Sequence, residues 1–167
     1  MQISNEAIRT LRDKTGAGIM DCKRALEQAG GDIAKAEAAL RAKGIASAAK
    51  KADRYTSEGI IDAYIHAGSR IGAIVELNCE TDFVARTPEF KELAHNLAMQ
   101  VAAMGPLYVD ESQLPPEEPR KPEEVVLLKQ SFIRDPSKTI NDLVMDTRAR
   151  VGENIRVRRF IRFSLGE

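Results

Sequence analysis

Between Ile3 and Gly44 apolar residues recur every three or four positions in three short runs, each bounded by helix start and stop signals. Ser4 stands as an N-cap, with Ile3 and Ile8 as the two halves of a hydrophobic staple. The first run turns Ala7, Ile8 and Leu11 to one side and breaks at Thr15-Gly16-Ala17-Gly18. The second extends from about Ile19 to Ala29 and stops at Gly30-Gly31. Asp32 caps the third, which presents Ile33, Ala36 and Leu40 and ends at Gly44. One narrow stripe per helix holds none of them alone, so together they imply a three-helix bundle. An Ala- and Lys-rich linker, helical or irregular, follows over 45–57, so residues 1–55 read as an N-terminal helical domain with its linker.

The pattern then changes to β. Gly59–Ala67 and Ile71–Cys79 are rich in Ile, Val and Tyr, and Gly68-Ser69-Arg70 between them marks a hairpin turn. Thr87-Pro88 opens a long helix, with Thr as N-cap and Pro at the first helical position. Phe90, Leu93, Ala94, Leu97, Ala98 and Val101 mark its buried face, and Gly105-Pro106 ends it. Five of the seven prolines lie from Pro106 to Pro122, which makes that stretch an extended connector. Glu123–Lys129 is a short apolar run that fits helix or strand. Thr139 opens another helix, with Asp142 at the capping-box position and Gly152 after its end. Ile155–Phe163 reads as a final strand. Residues 56–167 are therefore expected to form an α+β core, a small antiparallel sheet with helices on one face.

The 167 residues carry no net charge, which argues against a general nucleic-acid binder. The zero hides an asymmetry: residues 1–55 hold 11 Lys/Arg against 7 Asp/Glu, and residues 56–105 hold 3 against 7, so the front is basic and the middle acidic. Cys22 and Cys79 are far apart, show no metal-ligand or redox spacing, and read as free thiols of a reducing compartment. No sorting signal and no membrane-length apolar run is visible, so a cytoplasmic protein is expected. There is no phosphate loop, and the only histidines, His66 and His95, have no partners suggesting a metal or a triad. Neither an enzyme nor a cofactor is expected.

Two features stand out. On the second helix Ile19, Cys22, Ala25, Leu26 and Ala29 share one side, while Met20 falls opposite, among Lys23, Arg24 and Glu27. An apolar residue on a polar face marks a partner surface or is one of the single exposed apolar side chains that are common. The other is Asn78-Cys79-Glu80-Thr81-Asp82-Phe83-Val84-Ala85, joining a strand to the Pro88 helix. Phe83 is either held out there as an anchor for a partner or folded back onto the sheet as core. A third, weaker feature is the closing strand, where Arg156, Arg158, Arg159 and Arg162 surround Phe160 and Phe163. That pattern suits RNA binding, or a solvated or interface face of a strand.

These segments resemble a known family. Leu11-Arg12, Thr15-Gly16-Ala17-Gly18, Met20-Asp21-Cys22-Lys23 and Ala25-Leu26 resemble the N-terminal signature of the elongation factor Ts family. Glu76 to Ala85 (ELNCETDFVA) is similar to its second signature, and Gly152-Glu153-Asn154-Ile155 with Arg158-Arg159-Phe160 to its closing strand. The resemblance implies that the bundle is ubiquitin-associated-like and docks on the GTPase elongation factor Tu, with Arg12, Met20 and Lys23 at the contact. It implies that Thr81, Asp82, Phe83 and Val84 disturb the partner's magnesium and phosphate site, so that GDP leaves. Longer members carry a second core half and a helical protrusion. Only one core module fits here, which implies a homodimer. The stretch from Pro115 to Pro122 stands where short members usually have more helix. Neither cysteine lies in the closing strand, which excludes a disulfide across it. A ubiquitin-like-domain adaptor, argued from the bundle's fold alone, would leave 76–85 without a role.

Overall fold

The computed structural model describes residues 3–166. Three helices lead: α1 (Asn5–Thr15), α2 (Ile19–Gln28) and α3 (Ile33–Ala49). Ser4 Oγ accepts from the Ala7 N–H and the Asp32 carboxylate from the Lys35 N–H, so both starts are satisfied by the residues that the sequence marks. Leu11, Cys22, Ala25, Leu26 and Ala36 form a small closed core, with Ile3, Ile8, Ile33 and Leu40 against it. Two expectations fail. Ile19, the first residue of α2, is 55% exposed although it shares the helix side of the buried Cys22, Ala25 and Leu26. The third helix does not end at Gly44 but continues to Ala49, through the first part of the expected linker. Gly44 lies against Ala149, where a Cβ would come within 2.8 Å of the Ala149 Cβ, so this glycine permits a close helix contact and does not stop a helix.

The second unit is built on β1 (Glu58–Ile65) and β2 (Ile71–Cys79), antiparallel, with β2 in the centre of a three-stranded sheet. Their turn places Gly68 and Ser69 at positive φ. After one helical turn, α4 (Asp82–Ala85), the chain enters α5 (Pro88–Met104). Thr87 caps α5, and Gly105 closes it in the left-handed conformation. All six residues expected on its buried face are buried, beneath Ala73, Val75 and Leu77 of β2. The connector contains a 3-10 turn (Glu111–Gln113) and is pinned by a bridge between Tyr108 and Val126. The 123–129 run resolves into a helical turn, α6 (Pro122–Val125), and a second 3-10 turn (Leu127–Lys129).

A two-stranded hairpin not foreseen, β3 (Ser131–Phe132) and β4 (Asp135–Thr139), precedes α7 (Ile140–Val151). Thr139 and Asp142 form the full capping box. The closing strand, β5 (Ile155–Ser164), pairs antiparallel with β2. The architecture is α+β: a helical front end, then a small antiparallel sheet packed with helices. Among the described residues no helix is long and apolar enough to cross a membrane.

Candidate functional site

The 81–84 segment sits at the end of the most constrained strand, because β2 is paired along both edges. Thr81 is extended and caps α4: its Oγ1 accepts from the Val84 N–H. The Cys79 thiol donates to the Thr81 carbonyl at 3.1 Å, and the Thr87 hydroxyl to the Val84 carbonyl at 2.8 Å. In so short a helix the side that faces the sheet is filled by Val84 and Ala85, both in the main core. Asp82 and Phe83 therefore point outward. Phe83 is 80% exposed, which decides between the two environments that the sequence leaves open: the ring is presented, not packed. The Asp82 carboxylate pairs with Arg86 at 2.7 Å along the same turn, an exposed pair of small energetic weight.

A carboxylate from the far end of the chain holds this turn. Glu153, between α7 and β5, accepts the Thr81 N–H and the Glu80 N–H on Oε2, at 3.0 and 3.2 Å, and the Thr81 hydroxyl on Oε1 at 2.6 Å. In return Glu80 accepts the Asn154 N–H at 2.7 Å and pairs with Arg54 at 3.2 Å. The Asn154 N–H, with Arg54, holds the Glu80 carboxyl below its ordinary range. Burial and the nearby Glu153 charge push the Cys79 thiol up to about 11, so it stays protonated and inert.

On the bundle, Met20 is 65% exposed, beside Ile19, and Arg12 and Lys23 are exposed too. The apolar corner thus has two residues where the sequence suggests one. These side chains are exposed on the helical unit with the core of Leu11, Cys22, Ala25, Leu26 and Ala36, and Phe83 on the unit with the larger core that includes Val84 and Ala85. A cleft of about 410 Å³ lies between the bundle and α7. Several of the charged groups lining it are neutralised in place, Arg41 on Asp146, Lys43 on Asp21 and Lys14 on Glu37, so it reads as a joint between units. Among the described residues no group of three His, Cys, Asp or Glu is placed to hold a metal.

The sheet has a second apolar surface that sequence reasoning missed. Ile61 and Ile65 of β1, Ile74 of β2, and Ile161 and Phe163 of β5 are exposed on the face away from α5. The register puts Ile74 beside Ile161, with the Glu76–Arg159 ion pair one step along. The signal was in the strands: Ile60-Ile61, Ile74-Val75 and Phe160-Ile161 are adjacent apolar pairs, and adjacent residues face opposite sides of a sheet. Of the closing-strand arginines, Arg162 donates to the Ala102 carbonyl in the last turn of α5, and Arg159 is held by Glu76. Arg156 and Arg158 are exposed.

A family model described as Elongation factor TS matches residues 46–126. Over 195 aligned positions the chain is 50% identical to elongation factor Ts of Thermotoga petrophila, covering all of this chain and 98% of that protein. It is 46% identical to the factor of Carboxydothermus hydrogenoformans, covering 99% of this chain and 90% of that protein. With the factor of Coprothermobacter proteolyticus it shares 46% identity over 197 positions, the whole length of both. The alignments are longer than the 167-residue chain, so these relatives carry residues that it lacks. Full-length identity at this level, joined to the matched model, settles the relationship: the chain belongs to the elongation factor Ts family.

Proposed function

We propose that this chain, whose family gives it a role in translation elongation, is a guanine-nucleotide exchange factor for elongation factor Tu. The observation that carries this is Phe83, an aromatic ring four-fifths exposed on a turn whose base, Thr81, is hydrogen-bonded to Glu153 and to the Val84 N–H. Burying such a ring in a partner is worth roughly 1.5–3 kcal/mol, and a rigid base avoids the ordering cost that a mobile loop would bring. The ring enters the partner near its Mg²⁺ and phosphate site. Mg²⁺ tolerates little departure from octahedral geometry, so displacing its ligands weakens the nucleotide. The bundle, through Ile19, Met20, Arg12 and Lys23, supplies the docking surface. Linkage makes the effect reciprocal: the factor loosens GDP by the same ratio that GDP loosens the factor. The factor changes how fast nucleotide exchanges and leaves the overall equilibrium between GDP and GTP untouched. Release of labelled GDP from purified elongation factor Tu, with and without the protein, tests the reading, and unchanged release would reject it.

Met20→Glu is expected to raise the factor concentration needed for half-maximal release without unfolding the bundle. The side chain is exposed, so its loss leaves no cavity. A large fall in melting temperature would place Met20 in a core instead.

The single core module and the apolar outer face of the sheet support a homodimer. A second copy would cover Ile61, Ile65, Ile74, Ile161 and Phe163, an apolar surface of a kind that isolated soluble proteins seldom expose. Light scattering at tens of micromolar is expected to show a dimer that reductant does not alter, since both cysteines are buried and unpaired. Ile161→Glu is expected to yield monomer. A wild-type protein that is only monomeric at that concentration would reject the dimer.

A further inference from the structure

Glu153, in the closing Gly152-Glu153-Asn154 segment, lies outside the 81–84 segment and away from the docking surface of the bundle. Its geometry is nevertheless specific. Glu153 uses both carboxylate oxygens on one target, the base of the Phe83 turn: two backbone N–H groups on Oε2 and the Thr81 hydroxyl on Oε1. Charge-assisted bonds of this kind are about twice as strong as neutral ones. The next residue, Asn154, is buried. It sends its N–H to Glu80 and its two amide hydrogens to the Ala52 and Arg54 carbonyls, in the segment that leaves the N-terminal bundle. Arg54 then closes onto Glu80. Two adjacent residues thus tie the presenting turn to the end of β2 on one side and to the root of the bundle on the other.

We propose that Glu153 is a positioning residue for nucleotide exchange, one that sets the angle at which Phe83 is presented without touching the partner. This rests on the exchange reading above. The reasoning is that Val84 and Ala85 anchor only the inner side of α4, a helix of one turn that cannot hold itself. The Thr81 cap orients its first residue, and Glu153 fixes Thr81 through both backbone and hydroxyl. An amide in place of the carboxylate has one acceptor oxygen and brings an NH₂ donor. It therefore loses or reverses at least one of these contacts while keeping the side chain's size.

The test follows GDP release from elongation factor Tu against factor concentration, for wild type and Glu153→Gln, full length. A positioning role predicts that the maximal rate at saturating factor falls about tenfold. The half-saturating concentration, set by the bundle, is expected to stay within about twofold. Amide exchange at Glu80 and Thr81 is expected to accelerate in the same variant. A purely structural role would lower melting temperature and active fraction without this split. A folded variant with the wild-type maximal rate overturns the proposal. Should Glu153→Gln be unfolded at the assay temperature, Thr81→Val, which removes the hydroxyl's bond to Glu153 together with its cap on the Val84 N–H, carries the comparison, and a wild-type maximal rate there overturns the proposal equally. Wild type that fails to release GDP at all defeats the exchange reading itself, a result distinct from an active wild type matched by an active variant.

Discussion

Phe83→Ala is expected to slow GDP release from elongation factor Tu by about a hundredfold at saturating factor, while the melting temperature changes by no more than a few degrees. Two opposed physical outcomes make this informative. A phenylalanine in a packed core costs about 3–5 kcal/mol when truncated, because transfer energy is lost and a cavity is left. At 80% exposure Phe83 has little of either to lose, so the stability change should stay under about 1 kcal/mol, as at surface sites generally. The ring's contribution then appears only where a partner buries it, and there an aromatic anchor commonly carries more than about 2 kcal/mol. Asp82→Ala should act in the same direction and more weakly, since its carboxylate pairs with Arg86 inside the turn. Thermal unfolding and GDP release measured on the same preparations decide it. A variant that is stable and exchanges at the wild-type rate would remove Phe83 from the mechanism.

How much of this was legible beforehand depends on the range of each interaction. Ser4, Asp32, Thr87 and the Thr139–Asp142 box were readable because each acts on an N–H no more than three residues away. The inner face of α5 was readable because a 3.6-residue period repeats over four turns. The environment of Phe83 was not, since a one-turn helix has too few residues to show a period. Its facing is set by what Val84 and Ala85 pack against. Glu153 was invisible for a related reason: its targets lie 72 and 73 residues away, and a glutamate after Gly152 carries no local mark of what it binds. The β3–β4 hairpin was missed because its first strand has only two residues. The family signatures do cover Thr81–Val84 and Glu153-Asn154, but as separate stretches; the fold shows that they are one hydrogen-bonded unit.

Gly44 is the position where local and tertiary rules conflict most sharply. In an isolated helix, replacing a mid-helix glycine gains up to about 1 kcal/mol from propensity alone. Gly44 is inside α3 and has no positive φ, so the backbone raises no objection to a side chain. What objects is α7. A Cβ would sit 2.8 Å from the Ala149 Cβ and 3.4 Å from its Cα, closer than the packed helices permit. Gly44→Ala therefore sets a propensity gain against a forced separation of the two helix backbones, because an alanine Cβ has no rotamer by which to move aside. Gly44→Leu adds three more carbons to the same gap. Overpacking costs about 1–3 kcal/mol, which exceeds the propensity gain, and the cheapest relief is for α3 to move off α7. That movement also breaks the bidentate Arg41–Asp146 pair and the bond from Lys51 to the Gly152 carbonyl, which hold the same joint. The bundle would then remain folded on its own core but be presented loosely relative to Phe83. The expected result is a half-saturating factor concentration raised about tenfold, or 1.4 kcal/mol, with a maximal release rate close to wild type. This is the reverse of the split expected for Glu153→Gln, because one change loosens the docking unit and the other the presented ring. Gly44→Leu with wild-type melting temperature and wild-type half-saturation would show that the α3–α7 contact does not hold the two units in place.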